Sequence, residues 1–189
     1  MAKVILSRFA SRRIGPFVNI EAIIEDSGIT PLPRRGGLHK FVNGYLAKDP
    51  KFIVVPESYS SYPPRYRTIL AEEYSHIVLE YDLLSKGLPA ESEAHCISFD
   101  QHQIIERDAQ YLARAVLMPE DIFPQLWKQS FDNTPAAKCV VETDHYIYCV
   151  DALEQQFEVW PLTIAYRARD LTLITDAQCR EHFSNRIVF

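Results

Sequence analysis

Two stretches of this chain repeat their apolar side chains every three or four residues, and both also carry acids. Leu70, Tyr74, Ile77, Val78, Tyr81 and Leu84 mark the first, over about residues 67–84, with Lys86-Gly87 as a stop signal. Ile105, Ala109, Leu112, Ala113, Val116 and Leu117 mark the second, over about residues 104–118, closed by Pro119. The period predicts two amphipathic helices joined by a loop over residues 85–103.

The rest of the chain is shorter in period. Ile20, Ala22, Ile23 and Ile24, followed by Asp26-Ser27-Gly28, predict a short helix ended by glycine. Pro31 and Pro33 break the chain next. Residues 41–46 and 52–55 read as two strands with Asp49-Pro50 in the turn, a hairpin, and Pro56, Pro63 and Pro64 mark an irregular loop. Val140-Val141 and residues 146–150 fit strand or helix. Residues 151–158 and 162–171 are helical around a Trp160-Pro161 turn, a helix-turn-helix-like outline. The predicted fold class is α+β, with residues 1–125 as one domain and residues 126–189 as a helical segment packed on it.

Composition bounds the function. The chain has 189 residues, 47% of them hydrophobic and 12% aromatic, which suffices for a core and excludes a disordered chain. A net charge of −5 argues against coating nucleic acid by charge alone. Residues 151–189 hold six acids and four arginines, so the helix-turn-helix-like tail is itself acidic and fits packing or protein docking better than phosphate binding. No apolar run reaches about 18 residues, so no membrane span is expected, and the N-terminal apolar stretch is too short for a signal peptide. Cys96, Cys139, Cys149 and Cys179 are widely spaced without a C-x-x-C pair. They read as reduced cysteines of a cytoplasmic protein, not as a disulfide scaffold or a four-cysteine zinc site.

The chemistry concentrates on the first helix, at Ala71-Glu72-Glu73-Tyr74-Ser75-His76. Residues four apart on a helix lie about 40° apart around its axis. Glu72, His76 and Glu80 therefore share a face, with Glu73 beside His76. An H-E-x-x-H metal site uses this geometry: two ligands one turn apart and a glutamate that takes a proton from water. Here Glu72 stands in the first ligand position, where a carboxylate can also bind a cation. Taken alone, two acids and a histidine on a helix also describe an ordinary solvated face. Of the histidines outside this segment, His95, His102 and His145 read as loop or surface residues.

The second helix reads Glu106-Arg107-Asp108-Ala109-Gln110-Tyr111-Leu112-Ala113-Arg114-Ala115-Val116-Leu117-Met118-Pro119. At this point the chain resembles the ImmA/IrrE family of zincin-like metallopeptidases. Their metal helix reads roughly R-F-T-L-A-H-E-x-x-H-x-x-x-H, matched by Arg67, Leu70, Ala71, Glu73 and His76. A later helix reads E-x-E-A-N-x-F-A-x-x-L-L-M-P, matched by Glu106, Ala109, Ala113, Leu117, Met118 and Pro119. Gln110 replaces the usual Asn, and Leu112 the usual Phe. Leu153, Phe157 and Val159, then Arg167 and Leu171, match the family's tail.

The resemblance implies a small zincin-like domain with a short sheet beside the metal-site helices. It implies Glu72, His76 and Glu106 as metal ligands and Glu73 as general base, with Asp108 competing for the third place and Glu80 nearby. On a helical wheel Glu106 lies about 60° from the centre of the apolar stripe and Asp108 about 100° away, which favours Glu106. One imidazole and two carboxylates would take Zn²⁺ and would also suit Mn²⁺ or Fe²⁺. The implied activity is metal-dependent peptide hydrolysis of a partner protein such as a helix-turn-helix repressor, in stress response or mobile-element regulation. The alternative is a pseudo-peptidase that binds a protein without cleaving it; a transcription factor acting through the tail is a third reading.

Overall fold

A computed structural model of the chain describes residues 1–34, 45–46, 52–85, 99–135 and 142–183. It divides into two compact units, residues 19–113 with Met1 and residues 2–18 with 114–189.

The first unit begins with α2 (Ile20–Asp26), following α1 (Ala2–Arg8) of the other unit. Asn19 caps α2, its side-chain oxygen accepting from the Ala22 N–H at 3.1 Å. The helix stops at Ser27 because Gly28 takes a φ of +78°, a left-handed conformation that suits glycine. The Gly28 N–H then bonds the Glu25 carbonyl and the Ile29 N–H bonds that of Ile24, so the last carbonyls are satisfied. The expected glycine-ended helix is thus present.

A three-stranded sheet follows, built from β3 (Thr30–Arg34), β4 (Tyr45–Leu46) and β5 (Phe52–Pro56) in the order β3-β5-β4. β4 and β5 run antiparallel, with Tyr45 opposite Val54 and Leu46 opposite Ile53, as the hairpin expectation requires. Residues 41–44 and the Asp49-Pro50 turn lie outside the described residues. β3 is a correction: Pro31 and Pro33 do not break the chain but lie in a strand parallel to β5. Successive backbone N–H groups point to opposite edges of a strand. Two prolines two residues apart therefore remove donors from one edge only, and β3 has an open edge among the described strands. β5 supplies the fully buried Ile53 and Val55.

The helix α3 (Pro63–Ser85) starts earlier than its apolar period suggests. Pro63-Pro64, expected in a loop, open it, since proline at a first helical position loses no needed donor. Leu70, Ala71, Tyr74 and Ile77 turn inward. Tyr74 Oη meets Ser27 Oγ at 3.1 Å, tying α3 to the end of α2. α4 (Phe99–Leu117) begins inside the stretch expected as a loop, and residues 86–98 lie outside the described residues. Ala109, Leu112 and Ala113 form the buried stripe of its first-unit portion.

Among the described residues the second unit holds α1, a two-stranded hairpin of β1 (Arg13–Ile14) and β2 (Phe17–Val18), the end of α4, and four further α-helices. Gly15, with a φ of +60°, opens the hairpin turn ahead of Pro16. The helices are α5 (Phe123–Asp132), α6 (Glu142–Phe157), α7 (Pro161–Asp170) and α8 (Asp176–Phe183). Residues 146–150, open between strand and helix in the sequence, are helix. The Phe123 ring packs 5.5 Å from Phe157 and 6.1 Å from Trp127, centroid to centroid. Arg114 and Asp170 form a buried ion pair at 2.6 Å. Arg167, 2% exposed, donates to the Met118 carbonyl at 2.9 Å. Arg167 is thus engaged internally, and so is Arg169, with Asp170 and Asp176. No helix among the described residues is long and apolar enough to cross a membrane.

Candidate metal centre

The first unit brings together three side chains that the sequence singles out. Glu72 and His76 sit one turn apart on α3, and Glu106 reaches them from α4. His76 is buried, and its Nε2 lies 3.3 Å from Oε2 of Glu106, a carboxylate that is 41% exposed. Glu72 and Glu106 also interact electrostatically, so the two acids and the imidazole form one cluster.

The charges in it are set by that proximity. Burial pushes the Glu72 carboxyl up from 4.5 to about 7, and the neighbouring Glu106 charge adds to the rise; a hydrogen bond from Gln110 and the His76 ring oppose it. Glu106 moves the other way. Its hydrogen bond to His76 holds it below the ordinary carboxylate value against the effect of burial. The two acids thus divide the work: one keeps a proton more readily, the other its charge.

The remaining candidates sit apart or outside view. Glu73 is half-buried on α3, adjoining Glu72 in sequence and three residues before His76. Asp108 is exposed and paired with Arg107 at 3.2 Å, so the structure does not bring it to the cluster. Glu80 follows one turn after His76, and its side chain lies outside the described residues, as do His95, Cys96, Cys139 and the side chain of His102. His145 packs against Phe131 in the second unit, the rings tilted at 5.0 Å between centroids.

Sequence reasoning missed Gln110 as a site residue. Its Nε2 donates to Oε1 of Glu106 at 3.1 Å. The signal was available: Gln110 stands four residues after Glu106, and such pairs face each other on a helix.

In kind, these donors suit a divalent cation, since imidazole nitrogen and carboxylate oxygen both ligate zinc. The His76–Glu106 spacing also suits it. Two atoms each about 2.0–2.1 Å from a tetrahedral ion lie roughly 3.3 Å apart. As they stand, however, the three groups interact with one another. Among the described residues no group of three or more His, Cys, Asp or Glu is arranged to hold a metal. A cation would be held there by the ionised form of Glu72.

The sequence profile of the IrrE N-terminal-like domain matches residues 28–169, well over half of the chain. The chain belongs to this family. The match takes in α3, α4 and the helices through α7, so it covers the whole cluster. It carries the zincin-like metallopeptidase character expected from the motifs of α3 and α4, and the α+β class is that of the observed fold. No curated protein matches the chain.

Proposed function

We propose that this IrrE-like chain is a metal-dependent peptidase acting on a partner protein, with Glu72, His76 and Glu106 as cation ligands and Glu73 as general base. The observation that carries the reading is the meeting of His76 and Glu106 from two helices at 3.3 Å, with Glu72 interacting with the same carboxylate. Bound Zn²⁺, Mn²⁺ or Fe²⁺ would supply a Lewis acid and acidify water there. Two carboxylates and one imidazole make a hard, anionic set, which widens the choice of cation beyond zinc. In this reading Glu73 would accept a proton from water and return it to the leaving amine. Asp108, turned to solvent and paired, takes no part.

The substrate class in this reading is a protein, specifically a helix-turn-helix repressor, in a cytoplasmic stress or mobile-element response. The acidic tail, with Arg167 and Arg169 engaged internally, supports protein docking over nucleic-acid binding. The second reading, a pseudo-peptidase that grips its partner without cutting, is favoured by the mutual interaction of Glu72, Glu106 and His76.

Metal analysis of the purified protein together with Glu73→Gln tests the choice. The peptidase reading expects close to one equivalent of a transition metal in both proteins, and cleavage reduced at least about 100-fold in the variant. Less than about a tenth of an equivalent after incubation with Zn²⁺, Mn²⁺ or Fe²⁺ defeats it in favour of the second reading.

A further inference from the structure

The exposed side chains described on α4 are Gln103, Ile104, Arg107, Asp108 and Tyr111. Ile104 and Tyr111 are large and apolar, and each is 48% exposed. Positions seven apart lie about 20° apart around a helix and about 10 Å apart along it. Ile104 and Tyr111 therefore share one line on the surface. Arg107 and Asp108 stand between them in height, about 50° to either side of that line. The buried Ala109, Leu112 and Ala113 occupy the other side of the helix, so this face is turned away from the core.

The two charged side chains are 70% and 51% exposed, and Nη2 of Arg107 donates to Oδ1 of Asp108 at 3.2 Å. A guanidinium carries five N–H donors and a carboxylate about four acceptor sites. Their mutual contact thus leaves most of both for a further partner.

This face is complementary to itself. In two parallel copies related by a twofold axis along the helix direction, the flank with Arg107 meets the flank with Asp108 of the second copy, on both sides at once. Ile104 then meets Ile104 of the second copy on the central line, and Tyr111 meets Tyr111. Antiparallel copies would set Arg107 against Arg107 and Asp108 against Asp108, and like charges oppose that arrangement. A flank pair of one sign would have repelled a second copy in either direction.

We propose that α4 pairs two copies of this chain in parallel through Ile104 and Tyr111, with reciprocal Arg107–Asp108 contacts fixing the direction. The pairing does not depend on the reading of Glu72, His76 and Glu106 as cation ligands. Stable complexes bury about 800 Å² per partner, and two turns of one helix offer less. The association is therefore weak and reversible, with a dissociation constant on the order of 10–100 µM.

Sedimentation equilibrium of the full chain from about 5 to 500 µM, at low salt where screening is least, tests this. Arg107→Asp and Asp108→Arg are measured singly, mixed in equal amounts, and combined in one chain; Tyr111→Ser is measured alone. Each single charge reversal should weaken the dimer at least about tenfold, because it sets like charges opposite each other on both flanks. The mixture and the combined exchange should each recover wild-type affinity within about threefold, since opposite charges face again. Tyr111→Ser should weaken the dimer about tenfold. A wild-type chain that stays monomeric throughout overturns the proposal. So does affinity kept within about twofold in either charge reversal or in Tyr111→Ser, or a loss that neither the mixture nor the exchange restores. Circular dichroism checks each fold first; should a reversal fail to fold, Arg107→Glu and Asp108→Lys replace the two with the same criteria.

Discussion

Oε2 of Glu106 stands 3.3 Å from Nε2 of His76, so α3 and α4 meet through a carboxylate and an imidazole inside one compact unit. That pair couples a short acidic motif on one helix to a second helix whose own motif begins at the same glutamate. Glu106→Gln keeps the shape and removes the charge. It should weaken Zn²⁺ or Mn²⁺ binding by more than about 100-fold, beyond the range typical of a residue that only supports a ligand. Isothermal titration with each cation measures this; a loss under about tenfold would remove Glu106 from the ligand set.

The pH dependence follows from Glu72. Its value in the folded protein, about 7, lies above its ordinary 4.5. The stability it contributes is therefore fully present below the ordinary value and is lost as pH rises through about 7. Glu106, shifted downward, contributes stability above its ordinary value and loses it as pH falls. Subtracting the melting temperatures of Glu72→Gln from those of the metal-free wild type largely cancels the Glu106 part. The wild type should lose ground to the variant between roughly pH 5 and pH 8. Cation affinity should change in the opposite sense, rising over the same window, because a ligating carboxyl must first shed its proton. A pH-independent difference in melting would contradict the burial of Glu72.

The buried pair Arg114–Asp170 in the second unit permits a stability test away from the cluster. Both side chains are under a tenth exposed and 2.6 Å apart. Asp170→Ala leaves the Arg114 guanidinium buried beside Tyr166 without its carboxylate, and should destabilise the protein by about 3–5 kcal/mol. Replacing both partners, Arg114→Met with Asp170→Leu, should cost much less. Urea denaturation of the three variants checks the ordering.

Gly28 offers a cleaner local measurement. A Cβ there would meet nothing within 4 Å, so Gly28→Ala carries only the cost of the left-handed backbone. We expect about 1–2 kcal/mol lost in unfolding free energy. A stabilised variant would show that the turn after α2 adopts another conformation.

The strong periods were readable before the fold was known, and the weak ones were not. Tyr74 and Ile77 on α3, and Ala109 and Leu112 on α4, recur at helical spacing and are buried as that spacing demands. β3 was hidden because Pro31 and Pro33 are breakers in most contexts and become neutral only on an open edge. α5 carries one short stripe, Phe123, Trp127 and Ser130, with a proline near its start, and ten residues give little period to count. At the cluster, side-chain spacing brought Glu72 and His76 to one face of α3. The apolar stripe of α4 already set Glu106 ahead of Asp108; that α4 packs so as to bring Glu106 within 3.3 Å of His76 is a tertiary fact that no single helix encodes. Glu72 shows the same limit: its proton affinity is set by burial and by a residue on another helix.

The prolines of β3 also bear on how copies of this chain behave at high concentration. A rim with a missing amide at every second position offers a visiting strand carbonyls to bind but no hydrogens in return. Chains stacking there could form only half a ladder. Among the described strands, that side of the sheet is therefore guarded against fibre growth by the same two residues that look, in the sequence, like interruptions.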